Sequence, residues 1–92
     1  MLNATGMRMR KKYLVFRKDG NGNERMTLGV FSSRKRAESS IRKDSTQLSA
    51  ACRESCPEAS PYLESGNDEY RLVLRPGKEV RYWLEICLED KI

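Results

Sequence analysis

The sequence predicts an α+β domain of ββαββ order: a four-stranded antiparallel sheet made of two hairpins, with one amphipathic helix packed on one face. Hairpin signatures near both ends and a helical apolar stripe between them give that order. A length of 92 residues leaves room for one small core. A lone two-stranded hairpin is rarely stable in water, so both hairpins are expected to share the helix as a common cover. Residues 11–92 are read as this single domain. Residues 1–10 are read as a flexible basic arm, with Met7 and Met9 as alternative starts to Met1.

The first hairpin follows from Tyr13-Leu14-Val15-Phe16-Arg17, rich in β-formers, then Asp19-Gly20-Asn21-Gly22, whose residues admit the positive φ of tight turns. Residues 24–30 return with Met26, Leu28 and Val30 alternating against Arg25, Thr27 and Gly29. Phe31-Ser32-Ser33 has the form of a helix start, an apolar residue before a serine cap. Ala37, Ile41, Leu48, Ala51 and Cys52 then form an apolar stripe at helical spacing. Asp44 falls inside that stripe. Either the helix passes through it with Asp44 at the stripe's edge, or it breaks there with Asp44 as a new cap; a bent or continuous helix to about residue 54 is favoured. Pro57, Pro61 and Gly66 mark 56–67 as a loop, with Tyr62 and Leu63 pinned onto the core. The second hairpin alternates Tyr70, Leu72 and Leu74 with Arg71, Val73 and Arg75. It turns at Pro76-Gly77-Lys78, then alternates Val80, Tyr82, Leu84, Ile86 and Leu88 with Arg81, Trp83, Glu85 and Cys87.

Composition narrows the function classes. Charged residues make up 34% of the chain and the net charge is +5. The charge is uneven: residues 1–43 carry +9 and residues 44–92 carry −4. One strongly basic half suits an anionic partner, either nucleic acid or an acidic protein surface. There is no apolar run long enough for a membrane span or a signal peptide, so no membrane partner and a cytoplasmic location are expected. Three cysteines and no histidine fit free thiols in a reducing compartment, and neither a metal nor a cofactor is expected. With no histidine, no nucleophile motif and no phosphate loop, the chain is read as a non-enzyme.

The alternation assigns faces. Leu14, Phe16, Met26, Leu28, Val30, Tyr70, Leu72, Leu74, Tyr82, Leu84 and Ile86 are expected to face the helix. Tyr13, Val15, Arg17, Arg25, Thr27, Arg71, Val73, Arg75, Arg81 and Trp83 would then form the open face. Arginine interleaved with Tyr and Trp suits single-stranded nucleic acid, because bases stack on rings and guanidinium planes while cations hold phosphates. Arg34-Lys35-Arg36 opens the helix where cations oppose the helix dipole, a cost that an anion bound there would offset. Arg42 and Lys43 continue that charge along the helix. The candidate binding residues are therefore Arg17, Arg25, Arg34, Lys35, Arg36, Arg42, Lys43, Arg71, Arg81 and Trp83.

Leu28-Gly29-Val30-Phe31-Ser32-Ser33, followed by Ala37-Glu38 and Ile41, resembles the strand-to-helix passage of the small DNA-binding domain of phage tyrosine integrases and its plant ethylene-response relatives. The likeness covers residues 13–43, about a third of the chain. It implies a sheet laid in the DNA major groove, with Arg17, Arg25 and Thr27 towards the bases. That family has three strands before its helix, whereas two are expected here. The leading expectation is a small basic module that binds nucleic acid through its sheet face and helix start. The alternative is a protein-binding accessory or inhibitor, of the kind that phages and mobile elements encode, docking on an acidic surface. A homodimer through an edge strand or Trp83 stands as a third reading.

Overall fold

The computed structural model describes residues 8–20 and 24–91. The element order is ββαβββ: β1 (Arg8–Asp19), β2 (Met26–Phe31), α1 (Arg34–Ser55), β3 (Tyr62–Ser65), β4 (Glu69–Arg75) and β5 (Lys78–Lys91). The sheet is antiparallel in the order β2-β1-β5-β4-β3. It therefore has five strands and not four. The extra strand is β3, which lies in the segment expected to be a loop. At four residues between Pro61 and Gly66 it is too short for its alternation to stand out, and it forms because it pairs with β4 through Tyr62↔Val73 and Leu63↔Leu72. Strand β1 begins at Arg8, so residues 8–10 of the expected arm are strand; residues 1–7 and turn residues 21–23 lie outside the described residues.

The helix starts where its cap chemistry places it. Ser33 is in extended backbone, and its hydroxyl accepts from the Arg36 N–H at 3.2 Å. Its buried stripe is Ala37, Ile41 and Ser45, continued by half-buried Leu48 and Cys52. Ala51, expected within the stripe, is exposed. The stripe covers Val15, Tyr70, Leu72, Leu74, Val80, Tyr82 and Leu84 on the sheet. Ser45 tolerates burial because its hydroxyl donates to the Arg42 carbonyl one turn back at 2.9 Å.

Asp44 sits in this stripe without breaking the helix. Its carboxylate accepts from Arg17 Nη1 at 2.9 and 3.1 Å and from the Tyr82 hydroxyl at 2.7 Å. Arg17 and Tyr82 are cross-strand partners on β1 and β5, so both point at the helix. Asp19 completes the site: its Oδ2 accepts from Arg17 Nη2 at 3.2 Å, while its Oδ1 lies 2.8 Å from Arg17 Nε, off the hydrogen-bonding direction.

This contact reverses the expected facing of β1. Tyr13, Val15 and Arg17 face the helix, whereas Leu14 and Phe16 lie on the opposite face; Val15 is fully buried opposite Leu84. Four apolar residues in a row, 13–16, make β1 apolar on both sides, so alternation alone does not choose between them. Strand β2 follows the reversal only at Val30, while Met26 beside Arg17 and Thr27 beside Phe16 keep the facing expected of them. Its register shifts opposite Val15 and Phe16, leaving Leu28 as the extra residue, and Val30 stands on the open face beside Leu14, 54% exposed. Gly29 makes room for a neighbour, because a Cβ there would lie 2.9 Å from the Phe31 ring. The turn between β4 and β5 places Pro76 before Gly77, whose φ of 80° is the left-handed value that a proline-led type II turn requires. The facing expected for β4 and β5 matches the structure, with Tyr70, Leu72, Leu74, Tyr82 and Leu84 all buried.

Burial and then the Asp44 carboxylate hold the Tyr82 phenol far above its ordinary pKa of 10.0. The folded state therefore keeps a proton that the unfolded state releases above that pH, and stability falls as pH rises past it. Tyr82→Phe is expected to cost about 1.5 kcal/mol at neutral pH by losing a hydrogen bond to a charged group. It is also expected to flatten the alkaline loss of stability; urea unfolding at a series of pH values reads both effects.

Candidate nucleic-acid interface

The face of the sheet turned away from α1 is where the candidate residues meet. Strand pairing lays it out in rows. One row runs Thr27, Phe16, Trp83, Glu69 across β2, β1, β5 and β4. The next runs Lys18, Arg81, Arg71, Glu64 across β1, β5, β4 and β3. Beyond it lie Glu79, Val73 and Tyr62. Three cations thus stand as direct cross-strand neighbours, an arrangement that destabilises a sheet by itself. Arg71 is relieved by Glu64, 2.8 Å from its Nε, and more distantly by Glu79 at 3.6 Å. The Glu64 hydrogen bond and charge raise the Arg71 pKa. Lys18 and Arg81 have no ion-pair partner among the described residues.

Aromatic rings flank this row. Trp83 packs on Phe16 with centroids 5.7 Å apart and an interplanar angle of 32°. Phe16 is buried at 5% exposure because Arg25 lies over its ring, 4.1 Å from the centroid. Glu85 joins the pair, accepting from Arg25 at 3.1 Å and from the Trp83 indole N–H at 3.2 Å. Trp83 itself is half-buried, leaving part of its ring open. On the other side of the row, Tyr62 is 52% exposed. It was expected on the core, and β3 carries it to the open face beside Val73.

A second basic region lies at the end of the sheet where β2 turns into α1. Strand β1 overhangs β2 there, and the notch between them has a volume of about 600 Å³. It is lined by Arg10, Lys11, Lys12, Tyr13, Val30, Phe31, Ser32 and Arg36, four cations with no carboxylate. Glu89 stands opposite Arg10 in the β1–β5 register. Arg34 is engaged close by: its guanidinium donates to Asp68 at 2.6 Å and lies 5.9 Å from the Tyr13 ring centre. Asp68 holds a left-handed φ of 57° to reach it. Asp68 thus supplies the compensation that a cation in a helix's first turn requires, and its hydrogen bond and charge raise the Arg34 pKa.

The ten expected site residues therefore divide. Arg25, Arg71, Arg81 and Trp83 share the open face, and Arg36 reaches the notch with Lys35 exposed near it. Arg42 and Lys43 lie on the outer surface of α1. Arg17 is withdrawn from any binding surface by Asp44, which corrects the expectation that it faces a partner. The sequence reading did not include Lys18, Phe16, Tyr62, Arg10, Lys11 or Lys12. Lys18 and Tyr62 reach the open face only once β1 is turned over and β3 is paired, whereas Arg10, Lys11 and Lys12 form a basic run already visible in the sequence.

The thiols do not gather. Cys52 and Cys56 lie at the end of α1, and Cys87 is opposite Lys12 on β5. The Cys56 thiol donates to Glu58 at 3.3 Å, and this hydrogen bond raises its pKa. Among the described residues no group of His, Cys, Asp and Glu is placed to hold a metal, and no helix is long and apolar enough to cross a membrane. No protein family, characterised protein or solved structure matches this chain.

Because Arg25 covers Phe16 and ties up Glu85, Arg25→Ala is expected to shift the emission of Trp83 to longer wavelength with the far-ultraviolet circular dichroism unchanged. Since the chain has a single tryptophan, an unshifted spectrum would show that the cluster does not form.

Proposed function

We propose that the protein is a small non-enzymatic module that binds single-stranded nucleic acid across its open sheet face. The observation that carries this reading is the row Lys18, Arg81, Arg71, set between the half-buried ring of Trp83 and the exposed ring of Tyr62. Bases stack on such rings without regard to sequence, and Lys18 and Arg81, which have no ion-pair partner among the described residues, are placed to meet the phosphates. The notch at Arg10, Lys11, Lys12 and Arg36 extends the positive surface along β1. The same surface can hold a protein instead. Glu64, Glu79 and Glu85 lie among its arginines, and mixed charge with Tyr and Trp is common at protein interfaces. Under that second reading the partner is an acidic protein surface. The integrase-like passage implies duplex DNA, which the experiment below separates from single strands.

Labelled single-stranded RNA, single-stranded DNA and duplex DNA are titrated at two salt concentrations while anisotropy and Trp83 fluorescence are followed. Single strands are expected to bind more tightly than duplex, to quench Trp83, and to weaken with salt at a log-log slope of about −0.7 per phosphate neutralised. Trp83→Ala is expected to cost about 1–3 kcal/mol of binding. Lys18→Ala and Arg81→Ala each reduce the salt slope by about one phosphate's worth. Absence of binding at low salt, or duplex binding that leaves Trp83 unquenched, contradicts the reading.

A further inference from the structure

The strand order leaves two rims, β3 and β2, and they are built differently. Rim β3 has four residues, includes Glu64 and is closed off by Pro61, the usual means of keeping an edge unpaired. Rim β2 has six residues, Met-Thr-Leu-Gly-Val-Phe, with no charge and no proline. Its Val30 is 54% exposed and its Met26 47%. Such a rim presents free backbone hydrogen-bonding groups beside uncovered apolar side chains.

We propose that β2 is the seam of a homodimer, pairing antiparallel with the β2 of a second copy about a two-fold axis near Gly29. A two-fold is the closed way for one surface to meet itself. Charge favours this occupant and this direction. Glu24 lies just before β2, and Lys35 and Arg36 lie just beyond its far end. Neither Glu24 nor Lys35 has an ion-pair partner among the described residues. Antiparallel pairing carries Glu24 of one protomer towards the partner's Lys35, whereas parallel pairing would set like charges together. Arg25, which would weaken the match, is already held by Glu85 at 3.1 Å. The basic notch shares Val30 and Phe31 with this rim, so association is read on protein freed of nucleic acid.

The test is sedimentation equilibrium of nuclease-treated protein over a hundredfold range of concentration. The expected result is a mass that rises to twice that of the chain and no further. Val30→Lys places a cation on the exposed rim without touching the core, and is expected to weaken association at least tenfold with unchanged circular dichroism. Glu24→Lys weakens it similarly, and Glu24→Lys with Lys35→Glu restores it. A monomer at every concentration, a mass that grows beyond two chains, or a dimer indifferent to Val30→Lys overturns the proposal.

Discussion

The carboxylate of Asp44, in the middle of the helix stripe, accepts from Arg17 Nη1 and from the Tyr82 hydroxyl, and the facing of β1 depends on that contact. With Tyr13, Leu14, Val15 and Phe16 consecutive, turning β1 over exchanges one pair of apolar side chains for another. Hydrophobic burial therefore separates the two arrangements weakly. The ion pair separates them more clearly, because turning Arg17 outward would break its contact with Asp44; breaking such a pair costs about 3–5 kcal/mol when it is fully buried, and less here, where the two side chains are 14% and 19% exposed. The pair adds less to stability than that figure, since desolvating both partners offsets much of their attraction. Its main effect is on which structure forms.

The consequences spread through the sheet. Once Arg17 faces the helix, Phe16 must face away, where Arg25 and Trp83 cover it. Lys18 then comes into line with Arg81 and Arg71. The extra residue at Leu28 lets β2 follow β1 while Phe31 folds back over Gly29. The surface proposed to bind is thus a by-product of satisfying one half-buried carboxylate. The like-charged row it creates is held only in part by Glu64 and Glu79, so an anionic partner would relieve strain that the sheet already carries.

The elements that the sequence makes legible are those in which two signals agree. The helix has both a serine cap and an apolar stripe, and β4 and β5 alternate cleanly about Pro76-Gly77. The faces of β1 were not legible from alternation, because an unbroken apolar run carries no period-two signal. Two oddities nevertheless pointed to the answer: an aspartate within the stripe and an arginine ending an apolar strand, each of which is the partner the other lacks. Strand β3 was hidden by its flanking prolines and glycine, since four residues give too short an alternation and its pairing with β4 is a long-range fact. That is why Tyr62 joined the candidate surface only in the folded chain, and why Arg17 left it.

A double-mutant cycle on Arg17 and Asp44 measures the central interaction most directly. Arg17→Met, Asp44→Ala and the double variant are compared with the parent by urea unfolding. If the pair fixes β1, the two changes are strongly non-additive, with a coupling of about 1–3 kcal/mol and a double variant more stable than the two single losses imply. Losses that add to within about 0.5 kcal/mol would mean that Asp44 and Arg17 do not sense each other, and that β1 owes its facing to something else.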